Sequence, residues 1–179
     1  MALWRIRATV DDRPGFLAVL AASLALRSVN ILSVQVHPTQ SGAVDDFLVD
    51  APDALSEADL LAAVVKGRGR NPWVRRAAAD GLRDPHALLL TLATRLVEGE
   101  DLGAALAVLL GEVLVTRRSD PTGNGYSPRV LLLADPAGGI LEVRRLEPPF
   151  TPAEYARAAA LVELARAIRA GSGSPSPAQ

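Results

Sequence analysis

The chain has 179 residues, of which 49% are hydrophobic and 22% charged, so it has enough apolar material for one ordinary domain or two small ones. Its net charge of −1 gives no overall attraction to nucleic acid or to an anionic membrane. The lack of cysteine excludes disulfide bonds, thiolate catalysis and cysteine-ligated zinc. The first residues, "MALWRIRATV", do not form a secretory signal, and the other apolar runs are shorter than a membrane span, so we expect a cytoplasmic protein.

The chain opens with a strand pattern followed by a helix pattern. Residues 2–10 alternate between apolar and polar positions, which predicts a strand with one buried face. After the stretch "DDRPG" a helix is expected to about residue 27. Its predicted apolar stripe consists of Phe16, Val19, Leu20 and Leu24.

The remaining elements of the first half complete a recognisable order. "NILSVQVHP" and "AVDDFLVD" are predicted strands joined by the turn "TQSG", with Leu32, Val34 and Val36 on one face of the first. Ser56 and Asp59 have the spacing of a capping box and start a second helix. "WVRRA" is a predicted fourth strand. The order βαββαβ predicts an α+β, ferredoxin-like domain over residues 1–80, with a four-stranded antiparallel sheet and both helices on one face.

The second half begins a new series of elements. Asp84 with Pro85 predicts a helix start, and "EGED" separates this helix from the next. "EVLVTRR", "RVLLLAD" and "GILEVRR" are predicted strands, with "SDPTGNGYSP" as a loop and "PAGG" as a hairpin turn. Thr151, Pro152 and Glu154 predict the start of a long final helix. We therefore expect a domain boundary at residues 78–84, a small α+β domain over residues 81–170 and a flexible tail over residues 171–179.

The stretch "DDRPGFL" is the most informative part of the sequence. The first turn of a helix has N–H groups without intrahelical acceptors and a partial positive charge, which suits a carboxylate. Gly15 leaves room for a ligand, and Asp12 with Asn30 has the chemistry to hold an ammonium group. Two structural alternatives stay open: Asp12 simply caps the helix, and Asn30 simply takes a positive φ after it.

Residues 10–36, "VDDRPGFLAVLAASLALRSVNILSVQV", resemble the opening of an ACT domain, a small amino-acid-sensing regulatory module. The resemblance rests on Asp12, Pro14, Gly15, Asn30 and Ile31 and extends over residues 1 to about 78. It implies a homodimer with an amino acid, or a similar metabolite, bound between the turn of one copy and the second strand of the other. The ligand-binding residues implied are Asp12, Arg13, Pro14, Gly15, Phe16, Leu17, Asn30 and Ile31.

One residue departs from the ACT pattern. The family usually has a glycine two residues before the asparagine, whereas this chain has Ser28. A serine adopts the left-handed conformation only at some cost, so we expect the helix end to differ and Asn30 to be displaced.

The second half loosely resembles the sheet and closing helix of a GAF domain, a small-molecule-sensing module. The similar residues are "LLLADPAGGILEVRRLEPPFTPAEYARAAALVELA", with Phe150 and Thr151 at the start of the helix. The long insertion that encloses the ligand in that family is missing. The resemblance therefore implies a reduced sensor-like fold without a defined pocket.

The other candidate groups give little chemistry. His37 and His86 are isolated from other metal ligands and nucleophiles, so we expect no metal, no cofactor and no catalytic site. "KGRGRNPWVRR" is either a phosphate-binding patch or, as we favour, a solvated loop followed by a strand. "GNG" at 123–125 lacks the spacing of a nucleotide-binding loop.

The sequence thus predicts a non-catalytic sensor that acts on a separate protein, without nucleic acid or a membrane as partner. Two alternatives remain. One is an assembly module without a ligand, and the other, less favoured, is an enzyme with a pocket in the second domain.

Overall fold

The computed structural model describes residues 1–39, 42–77, 85–119 and 123–172. The chain divides into two compact units, Met1–Arg83 and Asp84–Gln179. Asp84, the rest of the predicted boundary at 78–84 and the turn residues 40 and 41 lie outside the described residues.

The first unit is a ferredoxin-like α+β fold, as predicted. Its elements are β1 (Ala2–Val10), α1 (Phe16–Ala25), β2 (Asn30–Thr39), β3 (Gly42–Ala51), α2 (Glu57–Lys66) and β4 (Arg70–Arg76). The strand order is β2-β3-β1-β4, and each neighbouring pair is antiparallel. The predicted capping box at the start of α2 is present, because Ser56 and Asp59 exchange side-chain and backbone hydrogen bonds.

The core of this unit lies between one face of the sheet and the two helices. The strand β1 contributes alternate residues, including Trp4, Ile6 and Ala8, as its sequence pattern predicts. Both helices bury their apolar stripes against the same face, which fixes the start of α1 above the end of β1. The helical residues in this core are Leu20, Leu24, Leu60, Ala63 and Val64.

The stripe predicted for α1 is wrong at one position. Val19 is 43% exposed, whereas Ser23 is buried and its hydroxyl donates a 2.7 Å hydrogen bond to the carbonyl oxygen of Ala63 in α2. Val19 lies at the margin of the stripe, about 100° around the helix from Leu20. Since α1 presents Ser23 to α2, its opposite margin, where Leu17 lies, faces the edge strand β2.

The strand β2 is an edge strand with an exposed apolar side. Leu32, Val34 and Val36 are each between 41% and 45% exposed. A register shift between Ile31 and Ser33 makes Leu32 a bulge residue. Val34 and Val36 lie on the helix-side face of the sheet, but α1 does not cover them.

The second unit packs three helices with a four-stranded antiparallel sheet. Its elements are α3 (Pro85–Val97), α4 (Leu102–Leu110), β5 (Leu114–Arg118), β6 (Gly125–Tyr126), β7 (Val130–Ala134), β8 (Ile140–Arg144) and α5 (Pro152–Ser172). The strand order is β5-β8-β7-β6. The predicted loop "SDPTGNGYSP" thus contains the short strand β6, which pairs with β7. The helix α5 runs two residues into the predicted tail, and residues 173–179 lie outside the described part.

A buried arginine holds the start of α5. Thr151 and Glu154 form the predicted capping box. The Arg145 guanidinium donates to the carbonyl oxygens of Leu110 and Pro148 and to Glu154, at 2.8 to 3.0 Å, and lies 4.1 Å from the centre of the Phe150 ring. These contacts fix the Pro-Phe-Thr segment. No helix in the described ranges is long and apolar enough to cross a membrane.

Candidate functional site

The helix α1 begins without a side-chain cap. Its N-cap residue is Gly15, at φ +92°, and no side chain accepts a hydrogen bond from the first turn. The Phe16 N–H donates to the carbonyl oxygen of Arg13 at 3.3 Å, whereas no acceptor for the N–H groups of Leu17 and Ala18 is found among the described residues. The interpretation of Asp12 as a capping residue is therefore wrong, and these N–H groups remain available.

The turn before α1 is open to solvent. Asp12, Arg13, Pro14 and Gly15 are exposed, and an added Cβ atom at Gly15 meets no atom within 4 Å. The neighbouring Asp11 carboxylate forms a 2.9 Å ion pair with Arg70, which ties the turn to β4. An anionic group therefore has free access to the first turn of α1.

A buried carboxylate lies beside this turn. Asp45 is 1% exposed, and neither of its carboxylate oxygens has a hydrogen-bond partner among the described residues. It pairs with Ala8 of β1 and Val36 of β2, so it faces the helices, two residues from the end of β1. Burial, together with the negative charge of Asp12, raises the pKa of Asp45 to about 6.

The sequence interpretation missed Asp45, although the sequence contains its signal. In "AVDDFLVD" the inward positions of the alternation are Ala43, Asp45, Phe47 and Val49. A carboxylate among three apolar core positions contradicts the usual burial preference of acidic side chains.

Asn30 and Ile31 lie at the other end of the sheet. Asn30 pairs with Asp50, whereas Val10, which precedes the turn, pairs with Ala43. Seven residues of β3 separate these two positions, a length of about 23 Å at ~3.3 Å per residue. Within one chain, the structure therefore brings Asp12, Arg13, Pro14, Gly15, Phe16 and Leu17 together but not Asn30 and Ile31.

Ser28 occupies the left-handed conformation, with φ +59°. It takes the position that the ACT pattern gives to glycine, and Asn30 follows as the first residue of β2. The interpretation of Asn30 as the positive-φ residue is therefore wrong. The expected difference at the helix end is also wrong, because Ser28 adopts the left-handed conformation typical of glycine.

The next carboxylate of β3, Asp46, has a structural environment. It lies on the sheet face away from the helices and accepts hydrogen bonds from Arg5 and Arg7, with Arg7 only 4% exposed. Burial alone would raise the pKa of Asp46, but the hydrogen bonds and charges of Arg5 and Arg7 outweigh it and hold the pKa below its usual range. Asp45 and Asp46 thus have opposite electrostatic surroundings.

The basic run after α2 makes contacts within the first unit. Arg70 pairs with Asp11, the guanidinium of Arg75 lies 3.9 Å from the Glu57 carboxylate, and the guanidinium of Arg76 lies 4.2 Å from the centre of the Trp4 ring. These interactions distribute the arginines over separate partners rather than around one phosphate-sized site.

Cavities of about 420 and 380 Å³ lie among the described residues of the second unit. Both are lined by Asp101 and Arg117, and the Arg117 guanidinium bridges the carboxylates of Asp101 and Asp135 at 2.5 and 3.0 Å. In the described residues no group of three or more histidines and carboxylates is placed to hold a metal ion. His37 lies in β2, and the side chain of His86 is outside the described part.

Fold and site together define an α+β protein whose ferredoxin-like unit has an open, uncapped helix start beside a buried carboxylate. No protein-family model matches the chain, and no curated protein matches its sequence.

Several solved structures share a weak likeness with the chain, and two of them serve as examples. A formyltetrahydrofolate deformylase from Pseudomonas putida KT2440 is 17% identical, with a TM-score of 0.35 over 54% of this chain and 38% of that one. An unknown protein from Galdieria sulphuraria is 14% identical, with a TM-score of 0.40 over 96% of this chain and 94% of that one. Similarity at this level carries no functional argument.

Proposed function

We propose that the protein is a non-catalytic sensor that binds an amino acid or a similar small metabolite at the start of α1, between two copies of the first unit. The observation that carries this proposal is the uncapped N-terminus of α1, which opens to solvent at Gly15. Its available N–H groups and the helix dipole suit a ligand carboxylate. The exposed Asp12 supplies a negative charge within the same turn.

The second copy completes the site through the edge strand β2. Asn30 lies about 23 Å from the turn of its own chain, at ~3.3 Å per residue. In an antiparallel β2–β2 pair, the Asn30 end of one copy meets the Thr39 end of the other, which is the sheet end that holds the turn. The exposed Leu32, Val34 and Val36 are the apolar residues that such a pairing covers.

Ligand binding across this interface regulates the assembly. A ligand held by the turn of one copy and by Asn30 of the second stabilises one relative orientation of the two copies. The ligand can shift the equilibrium between the two arrangements of the copies only by the difference in its affinity for them. A separate protein that recognises one arrangement receives the signal.

A thermal-shift screen of the full chain with the twenty amino acids tests the proposal. Binding only the folded state at a concentration 100 times the Kd stabilises it by about 2.7 kcal/mol, which gives a shift of several degrees. We expect one or a few amino acids to produce it, and Asp12→Ala and Asn30→Ala to abolish it. Glu98→Ala is the matched control, because it removes an exposed carboxylate from the second unit.

The oligomeric part is tested separately. Val34→Lys introduces a charge on the edge strand and should give a monomer in sedimentation velocity that no longer responds to the ligand. Val65→Lys, at a 60% exposed position on α2, is the control and should remain dimeric. An intact wild-type dimer with no shift at millimolar amino acid would instead favour the assembly module. A responsive monomer would show that a second copy is not needed.

A further inference from the structure

In the part of the chain that the structure describes, the buried carboxylate of Asp45 has no hydrogen-bond partner that explains its burial. Core positions rarely hold an acidic residue without a counter-charge or hydrogen bonds, because the loss of hydration is costly. Asp46, the next residue of β3, is a buried carboxylate with a structural role, because it accepts hydrogen bonds from two arginines. Asp45 has neither a donor nor a cation within the described residues.

Within the described residues, the charge that acts on Asp45 is negative. Its neighbours across the sheet, Ala8 and Val36, are uncharged, and α1 contains no charged residue between Phe16 and Ala25. Asp12 is the charged group that acts on Asp45 from the turn. Arg70 of β4 pairs with Asp11. A cationic group would therefore complement the two carboxylates of Asp45 and Asp12.

Asp45 is close to the solvent despite its burial. Val36, directly opposite it on the edge strand, is 45% exposed, and Leu17 on the facing margin of α1 is 37% exposed. Residues near the carboxylate are thus partly open to solvent, and Asp12 in the turn before α1 is close enough to act on it electrostatically. A ligand with a cationic and an anionic end can reach both groups.

We propose that Asp45 is the ammonium-binding residue of this site, which makes the ligand class primary amines, with the anionic end of an amino acid on the first turn of α1. The inference rests on the proposed function and deepens it. A primary ammonium group has three N–H donors, enough to satisfy Asp45 and Asp12 together. A ligand with a carboxylate alone leaves Asp45 unpaired.

Binding of matched probes to the full chain at pH 7.5, measured by calorimetry, tests this assignment. The first probes are the twenty amino acids, which carry both groups. Their amides and methylamine provide an ammonium group without a carboxylate. Acetate and 2-hydroxy acids provide a carboxylate without an ammonium group. We expect amines to bind and each 2-hydroxy acid to bind at least tenfold more weakly than its amino acid. Asp45→Asn should weaken amine binding roughly tenfold or more. Asp50→Asn, the same change on the same strand, should leave it unaltered.

The pH dependence gives a second readout. Amine affinity of the wild type should fall roughly tenfold from pH 7 to pH 5 as Asp45 takes up a proton, and it should not follow this profile in Asp45→Asn. Asp45→Asn stays folded if the near-ultraviolet circular dichroism of Trp4 and Trp73 is retained.

The outcomes separate this inference from the proposed function. Equal binding of amino acids and 2-hydroxy acids, lost in Asp12→Ala but kept in Asp45→Asn, would overturn the role of Asp45 and leave the sensor proposal standing. Binding of amides alone, lost in Asp45→Asn, would support Asp45 and remove the role of the helix N-terminus. No binding of any amine, or stabilisation by Ca²⁺ or Mg²⁺ alone, would overturn the assignment.

Discussion

Replacing Asp45 with asparagine should change how the stability of the ligand-free protein depends on pH. In the folded state burial, aided by the charge of Asp12, raises the pKa of Asp45 to about 6 from its ordinary value of 3.8. Between these two values the folded state binds more protons at this residue than the unfolded state. The free energy of unfolding therefore falls as the pH rises through this window.

The size of the effect follows from the shift. A change of about two pKa units corresponds to roughly 3 kcal/mol at ~1.4 kcal/mol per unit. Asparagine cannot ionise, so the stability of Asp45→Asn relative to the wild type should increase by about 2 kcal/mol between pH 4 and pH 7.5, since the unfolded carboxyl is already partly ionised at pH 4. Comparing the two pH values cancels the pH-independent cost of burying an amide, which is about 1–3 kcal/mol.

Urea unfolding monitored by tryptophan fluorescence provides the measurement. Trp4 and Trp73 are the two tryptophans of the chain, and both lie in the first unit, so their signal reports on the unit that contains Asp45. Asp50→Asn serves as the control on the same strand. A stability difference between Asp45→Asn and wild type that stays constant within about 0.5 kcal/mol from pH 4 to pH 7.5 would refute the reasoning.

Three further substitutions test the structural interpretation. Asp46→Asn leaves the buried Arg7 without its carboxylate and should cost about 3–5 kcal/mol in urea unfolding, so a loss below about 1 kcal/mol would contradict the buried ion pair. Ser28→Gly should stabilise the first unit by about 1 kcal/mol, because glycine adopts the +59° φ without strain, and an unchanged midpoint would argue against this conformation. Arg145→Met removes the guanidinium that pairs with the buried Glu154 carboxylate and should lower the stability of the second unit by about 3 kcal/mol. Unfolding followed by circular dichroism checks this last prediction, and an unchanged unfolding transition of the second unit would contradict it.

The order of elements in the first unit followed from local sequence signals. Alternation over residues 2–10 and the capping box of Ser56 and Asp59 are short-range patterns, and both are confirmed. The strand β6 was missed because a two-residue strand has no periodicity of its own and exists only through its pairing with β7. Val19 was placed in the core because the stripe of an isolated helix does not reveal where the neighbouring helix packs.

For the candidate site, the sequence by itself determined the open turn, since proline and glycine at positions 14 and 15 specify a strand-to-helix connection whose first N–H groups have no intrahelical acceptor. Tertiary structure decided the rest. It placed Asp45 beside that turn, because antiparallel pairing brings together residues that are far apart in the chain. It placed Asn30 at the far end of the sheet, although Asn30 and the turn residues belong to the same sequence motif. It also gave Asp45 and Asp46 opposite environments, since successive strand residues face opposite sides of the sheet, and among the described residues two arginines donate to Asp46 and none donates to Asp45.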